Sequence, residues 1–298
     1  MKNGIILLNK PAGITSFDAL RDIKRTHETG KVGHTGTLDK FASGLLVVLV
    51  GRDLKLSQWF SACDKQYSGR IHFGIETDTL DPEGKVTAEV EIPEREEVEQ
   101  VLKTFTGTIM QTPPAFSAIH VNGKRASVLA RSGNVPQMKE RKVTIHKLEL
   151  RSWQPPYAEI FVHCSSGTYI RSLARDIALA AGSRAHLCSL LRTQVAGFRL
   201  EDAGESSLLR PVDKSVFGAL GMPWFEIEPL QAQMIKHGKP LDGILDALSL
   251  QLFRAETRGH EEGTIKTEES SAAVFCGETL TAIVEKKNGR WNYGCVLN

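Results

Sequence analysis

The run Gly44-Leu45-Leu46-Val47-Val48-Leu49-Val50 constrains this chain more than any other stretch. Six consecutive Leu and Val residues show no helical period, and the run is too short for a buried helix. It predicts a strand covered on both faces, which places it inside a sheet with packed layers on either side. It is also far short of the roughly 20 apolar residues a membrane-spanning helix needs. Just before it, Gly33-His34-Thr35-Gly36-Thr37-Leu38-Asp39 sets one carboxylate at the mouth of that strand. A carboxylate held there can serve as a nucleophile or base if a cation keeps it ionised and aimed. On spacing alone, an aspartate in a Thr-x-Asp setting reads equally well as the residue that closes a turn.

Other segments surround this strand with a mixed fold. Ile5–Leu8 reads as a strand, followed by a turn over Asn9–Gly13. Thr15 or Ser16 is expected to cap a helix carrying Phe17, Leu20 and Ile23 on one side. Thr29–Thr37 reads as a glycine-rich loop. Gln66–Phe73 alternates, with Tyr67, Gly69, Ile71 and Phe73 on one face. Asp81-Pro82-Glu83-Gly84 is a turn. Pro93 fits a first helical turn ahead of Val98, Val101, Leu102 and Phe105, with Gly107 past the end. Thr112–Lys142 has little periodicity and two consecutive prolines, and reads as a functional excursion. Strands return at Val143–Leu150 and Ala158–Cys164. Ser165-Ser166-Gly167-Thr168 leads into a helix with Ile170, Leu173, Ala174 and Ile177 inward, closed by Gly182.

Composition shifts near Pro223. Arg258–Ser271 is polar and reads as a loop. Asn288-Gly289 between Leu280–Lys287 and Arg290–Leu297 is a hairpin signal, with Trp291, Tyr293, Cys295 and Leu297 alternating on one face. The expected organisation is therefore an α+β body over residues 1–223, built on a mixed sheet, and a small β-rich unit over residues 224–298.

The net charge of +2 says little, but the charges are segregated. Lys124, Arg125, Arg131, Lys139, Arg141 and Lys142 lie close together with only Glu140 among them, whereas Glu89–Glu99 is strongly acidic. A near-neutral chain arranged this way can turn a basic face to a polyanion. The five cysteines are scattered and odd in number, with no C-x-x-C, and the N-terminus has an apolar patch of only four residues. Reduced thiols, a cytoplasmic setting and no secretory signal are expected.

Several chemistries are excluded by motif. The glycines of Gly30–Thr37 lack the lysine of a phosphate loop, and Lys124 and Lys239 lack its first glycine. His27, His34, His163 and His186 have no metal-ligand spacing, no cysteine pair fits zinc, and no G-x-S-x-G is present. Asp39 remains, with two candidates for company. Arg171 falls in the first turn of a helix and Tyr67 lies on the apolar face of its strand. Each also has a plain structural reading, a surface ion pair and a core tyrosine.

Together these segments resemble the bacterial TruB-type pseudouridine synthases. The resemblance rests on Lys10-Pro11-Ala12-Gly13-Ile14-Thr15-Ser16, Gly33–Asp39, Asp64-Lys65-Gln66-Tyr67 and Thr77-Asp78-Thr79-Leu80-Asp81. Gln111-Thr112-Pro113-Pro114-Ala115-Phe116-Ser117-Ala118 and Gly167-Thr168-Tyr169-Ile170-Arg171-Ser172-Leu173-Ala174 complete it. It implies a mostly antiparallel sheet with flanking helices, followed by a PUA-like RNA-binding domain. It implies isomerisation of the T-loop uridine of tRNA (uridine-55) to pseudouridine, without cofactor or metal; a monomer is expected, because one pocket and one basic face suffice. Asp39 would be the nucleophile, Tyr67 would stack on the flipped uracil, and Arg171 would pair with Asp39. His34, Tyr169 and Leu190 would contact the substrate loop or line the pocket. Lys10, Lys124, Arg125, Arg131 and Arg141 would bind the RNA. Lys40-Phe41 stands where Pro-Leu is usual, Asn9 where aspartate is frequent, Ser127 where tyrosine is usual and Leu191 where arginine is usual. A tRNA-folding chaperone and a guide-RNA-dependent synthase are the alternative functions.

Overall fold

The structure is a computed structural model that describes residues 2–205, 208–241, 243–245 and 271–297. From the N-terminus the chain forms β1 (Gly4–Lys10), α1 (Leu20–Thr26), β2 (Val32–His34) and β3 (Ser43–Val50). Then come α2 (Ser57–Ser61), β4 (Lys65–Phe73), the ribbon β5 (Ile75–Thr77) and β6 (Val86–Glu89), and α3 (Arg95–Thr104). β7 (Gly107–Gln111) precedes a small ribbon of β8 (His120–Val121) and β9 (Lys124–Arg125), then α4 (Ala126–Arg131). β10 (Arg141–Gln154), β11 (Tyr157–Cys164), α5 (Ile170–Ala180), β12 (Ala185–Val195) and β13 (Phe198–Arg199) follow. The remainder is α6 (Lys214–Ala219), β14 (Trp224–Glu226), α7 (Pro229–Lys236), β15 (Ser271–Cys276), β16 (Thr279–Lys287) and β17 (Arg290–Val296).

The main sheet runs β1-β3-β12-β4-β11-β10-β7, with β2 on β3 and β13 on β12. Every pairing in it is antiparallel except the short β3–β12 contact, where Ser43 faces Leu191 and Gly44 faces Arg192. The second sheet is β14-β15-β16-β17, parallel only between β14 and β15. The fold is therefore the mixed, mostly antiparallel α+β architecture expected, with a smaller β unit at the C-terminus.

β3 is covered on both faces, as its composition requires. Leu46, Val48 and Val50 pack against Ile6, Leu20, Ile23 and Val32. Leu45, Val47 and Leu49 pack against Phe60, Phe217, Trp224, Ala273 and Phe275. Each fully buried Leu or Val of β3 contributes about 1.5–3 kcal/mol relative to exposure. Gly44 makes the joint with β12 possible. Its φ is +107°, and a Cβ there would lie 2.3 Å from the Arg192 carbonyl oxygen. A third cluster joins α3 and α5 to the other end of the sheet, through Val98, Leu102, Leu173 and Ile177 against Ile71, Phe73, Ile160 and Leu187.

Four local expectations are corrected. The segment after Ile14 is a turn, with α1 starting only at Leu20 and Phe17 exposed. Thr15 Oγ1 is bonded to Asp18 and the Ser16 hydroxyl is spent on Leu38, so neither caps the helix. The glycine-rich loop contains a strand, β2, because Val32–His34 can borrow the free edge of β3. Pro93 lies just outside α3, whose N-cap is Glu94, and the Glu94 N–H donates to Glu97 Oε2. Arg141 and Lys142 belong to β10, paired with Gln111 and Met110, rather than to the excursion. The expected hairpin at Asn288-Gly289 is present, both residues at positive φ. Asn122-Gly123 turns β8 into β9 in the same way. The polar segment Arg258–Ser271 lies outside the described residues apart from Ser271, which opens β15.

Candidate active site

The loop from β2 to β3 carries Asp39, and three of its residues, Thr35, Gly36 and Leu38, are tied to separate parts of the fold. The Thr35 N–H donates to the Val47 carbonyl (3.0 Å), fixing the loop to β3. Arg192 Nη2 on β12 donates to the Gly36 carbonyl (3.0 Å). The Ser16 hydroxyl and the backbone of Leu38 exchange two hydrogen bonds (2.8 and 2.9 Å). Asp39 is thus delivered by a backbone held at three points.

Arg171, in the first turn of α5, meets it. Arg171 Nη2 donates to Asp39 Oδ1 (3.1 Å), and Nε lies 2.9 Å from Oδ2. The same guanidinium donates from Nη1 to Asp81 Oδ2 (3.0 Å) and to the Thr79 carbonyl (2.7 Å), and from Nη2 to the Phe116 carbonyl (3.0 Å). One buried cation therefore fastens three distant segments: the loop before β3, the turn after β5 and the segment after β7. A buried guanidinium requires such saturation, because an unpaired one costs several kcal/mol. The arginine side chain and that of Asp81 are 4% and 7% exposed, whereas Asp39 is 35% exposed. Only Asp39 of the two carboxylates opens to a ligand.

Burial pushes the Asp39 carboxyl above the usual aspartate value; Arg171 opposes that shift, while Asp81 and Glu83 reinforce it. Burial also raises the Tyr67 phenol, against the pull of the Arg192 guanidinium. The His34 imidazole is pushed down by burial and by Arg192, which favours its neutral form. Lys65 is lowered mainly by burial.

These groups line one cavity of about 450 Å³. Asp39, Tyr67, Arg171, His34, Tyr169, Leu190 and Arg141 all reach it, so seven of the sequence-derived site residues are brought together. Asp39 is the only carboxylate among the described lining residues, beside the cations Lys65, Arg141, Arg171 and Arg192. Such a lining suits an anionic ligand with one carboxylate aimed into it. Two tyrosines flank the space. Tyr169 carries the Arg141 guanidinium over its ring at 4.7 Å. Its backbone is gripped by Gln111, which accepts from the Tyr169 N–H (2.9 Å) and donates to its carbonyl (3.1 Å).

Four sequence-derived residues do not line the cavity. Lys10 is fully buried behind it, its Nζ donating to the carbonyls of Pro11 (2.9 Å) and Ile14 (2.8 Å). It organises the turn that carries Ser16, and no part of it is accessible to a ligand here. Lys124, Arg125 and Arg131 stand exposed on β9 and α4. Sequence reasoning missed Asp81, Gln111, Lys65, Arg192 and Ser16. Ser16 pairs with Leu38, Gln111 with Tyr169, Asp81 with Arg171 and Arg192 with Leu45, 22 to 147 residues away, so local sequence does not reveal their roles; Lys65 is held by the nearby carbonyls of Ser61 and Cys63.

Comparison with known proteins places this arrangement. Residues 24–170 match the TruB family pseudouridylate synthase (N terminal domain). The tRNA pseudouridine synthase B of Francisella philomiragia is 44% identical over 294 residues, covering 97% of this chain and 92% of that protein. That of Borreliella burgdorferi (strain ZS7) is 47% identical over 206 residues, covering 68% and 73%. Among solved structures, a chain in a Cbf5-Nop10-Gar1 complex superposes with a TM-score of 0.68 at 22% identity, over 99% of this chain and 83% of that one, and so shares the fold. The chain belongs to the TruB family of pseudouridylate synthases. It is an isomerase of that family.

Proposed function

We propose that this protein converts the T-loop uridine of tRNA, uridine-55, to pseudouridine. The reading is carried by one observation: among the described residues, Asp39 is the sole carboxylate lining a cation-rich cavity that also holds two tyrosine rings. It is supported by the printed names of the relatives, tRNA pseudouridine synthase B. The reaction breaks the N1–C1′ bond, forms a C5–C1′ bond, moves a proton from C5 and restores one at N1. Asp39 is the nucleophile, attacking uracil C6 or ribose C1′, or assisting elimination at C1′. Arg171 holds its two oxygens in place. Tyr67 stacks on the flipped uracil, and Leu190 and Tyr169 complete the walls. Flipping costs about a few kcal/mol, which stacking and shape complementarity offset. His34 contacts the substrate loop, and Lys124, Arg125, Arg131 and Arg141 meet phosphates. The chemical step uses no cofactor or metal ion, and the enzyme acts as a cytoplasmic monomer.

The test is incubation of the purified chain with unmodified tRNA transcript, followed by carbodiimide labelling and primer extension. One stop at the T-loop uridine, lost with Asp39→Ala, is expected. Tight tRNA binding with no stop in the wild type would instead make the protein an RNA-binding factor. Activity that appears only with guide RNA would make it a guide-dependent synthase.

A further inference from the structure

On the face of the main sheet opposite the cavity, three side chains converge that no mechanism above uses. Asp64 Oδ2 lies 3.1 Å from His146 Nε2 and 4.0 Å from His163 Nε2. The three donor atoms all fall within 4.8 Å of one another. The two imidazoles face each other, 4.8 Å between ring centroids. We propose that Asp64, His146 and His163 form a binding site for a borderline transition-metal dication such as Zn2+ or Ni2+.

The placement is built by the sheet. His163 sits opposite Gln66, while its neighbour Val162 sits opposite Tyr67 on the cavity side, so His163 points away from the cavity. Asp64 immediately precedes β4, and its carbonyl accepts from the Ala196 N–H (2.9 Å), which fixes its backbone. His146 owes its position to a bulge. The register passes from Ile145–Cys164 to Lys147–His163, leaving His146 as the extra residue. Ile145 stays buried and His146 turns out to solvent beside His163. Bulges commonly re-aim a side chain in this way.

The donor set decides the ion. Two imidazoles and a carboxylate favour zinc, nickel or copper over calcium or magnesium, which prefer all-oxygen shells. Bonds of about 2.0–2.2 Å hold neighbouring ligand atoms roughly 3–4 Å apart, so these three atoms need shift by less than about 1 Å to close on an ion. The side chains are 28–46% exposed, leaving room for water to complete the coordination. Such an ion would clamp β4, β10 and β11 at the point where Lys65, next to Asp64, enters the cavity lining from the other face. The ion is structural and takes no part in isomerisation.

The test uses the full chain stripped of metal and titrated with Zn2+ against a chromophoric indicator. The wild type should bind one equivalent that His146→Asn and His163→Asn each weaken by at least about tenfold, the loss that even outer-shell partners of a metal cost. His120→Asn, on the exposed ribbon, should retain it. Long-range 1H–15N spectra of the wild type should show Zn2+ shifting the ring nitrogens of His146 and His163, a readout independent of any variant's folding. No binding in the wild type, undiminished binding in both variants, or Zn2+ shifts confined to other histidines would each overturn the site and leave only the close contact of Asp64 with His146.

Discussion

The cavity around Asp39 and the ribbon-and-helix segment around Lys124 hold their polar side chains by opposite means. In the cavity, Arg171 is spent on four partners from three remote segments. On the ribbon and the helix after it, Lys124, Arg125 and Arg131 are exposed, and the ribbon's turn is set by two adjacent residues, Asn122-Gly123. The first arrangement positions one atom closely and tolerates little change. The second presents charge and tolerates much. Chemistry on a single base needs the former, and contact with a repeating phosphate backbone needs only the latter.

Four substitutions probe that contrast. Asp39→Asn should cost the most activity, about 10⁴-fold or more in turnover, the scale seen when a catalytic nucleophile is removed. It should not cost stability at neutral pH. The folded protein raises the carboxyl's affinity for its proton, so the ionised form is a net burden above the raised value, and that burden eases as pH falls toward the unfolded value of about 3.9. A melting temperature at pH 7 well below wild type would contradict this. In single-turnover assays, the acid limb of the wild-type rate should lie above the range of an ordinary aspartate.

Asp81→Asn reverses the balance. It strips a charge from a buried pair and should lower stability by about 3 kcal/mol. Chemical denaturation reads this directly, and an unchanged midpoint would show that the carbonyls of Thr79 and Phe116 suffice for Arg171. Tyr67→Phe should keep the stacked ring and lose the hydroxyl near Arg192. If that hydroxyl moves the C5 proton, turnover drops by about 10²-fold while tRNA affinity stays level. A wild-type rate would assign the proton to another group. The triple change Lys124→Ala, Arg125→Ala, Arg131→Ala should be mildest. It should weaken tRNA binding, flatten the salt dependence by up to about 0.9 units of log–log slope per lost phosphate contact, and spare turnover at saturating RNA. A matching fall in saturated turnover would mean the segment also shapes the cavity.

Legibility in the sequence followed the range of the interactions. β3, β4 and α5 are readable because their patterns are local: a two-sided apolar run, an alternation and a helical face. The Asn288-Gly289 hairpin is equally local. β12 is not readable, although it joins the two halves of the main sheet. Its register breaks between Leu187 and Ser189 and again between Arg192 and Gln194, which erases the two-residue period. The same holds within the site. Asp39, Tyr67 and Arg171 stand out through motifs, while the partnership of Arg171 with Asp81 spans 90 residues and that of Gln111 with Tyr169 spans 58. The resemblance implies an RNA contact for Lys10; the structure turns it inward onto two carbonyls. The grouping of Asp64, His146 and His163 has no sequence spacing to betray it, since β10, β11 and the residue just before β4 supply one each.

The two faces of β3 carry one more consequence. Its Leu45, Val47 and Leu49 are buried together with Trp224, Ala273 and Phe275 of the smaller sheet, so the two sheets share an apolar interior. They behave as parts of a single casting, not beads on a string. An RNA gripped by the smaller sheet would meet the cavity at a fixed distance, as an object held in a jig meets the tool. Cutting the chain after Pro223 would leave the larger part with a raw greasy scar where the jig had been.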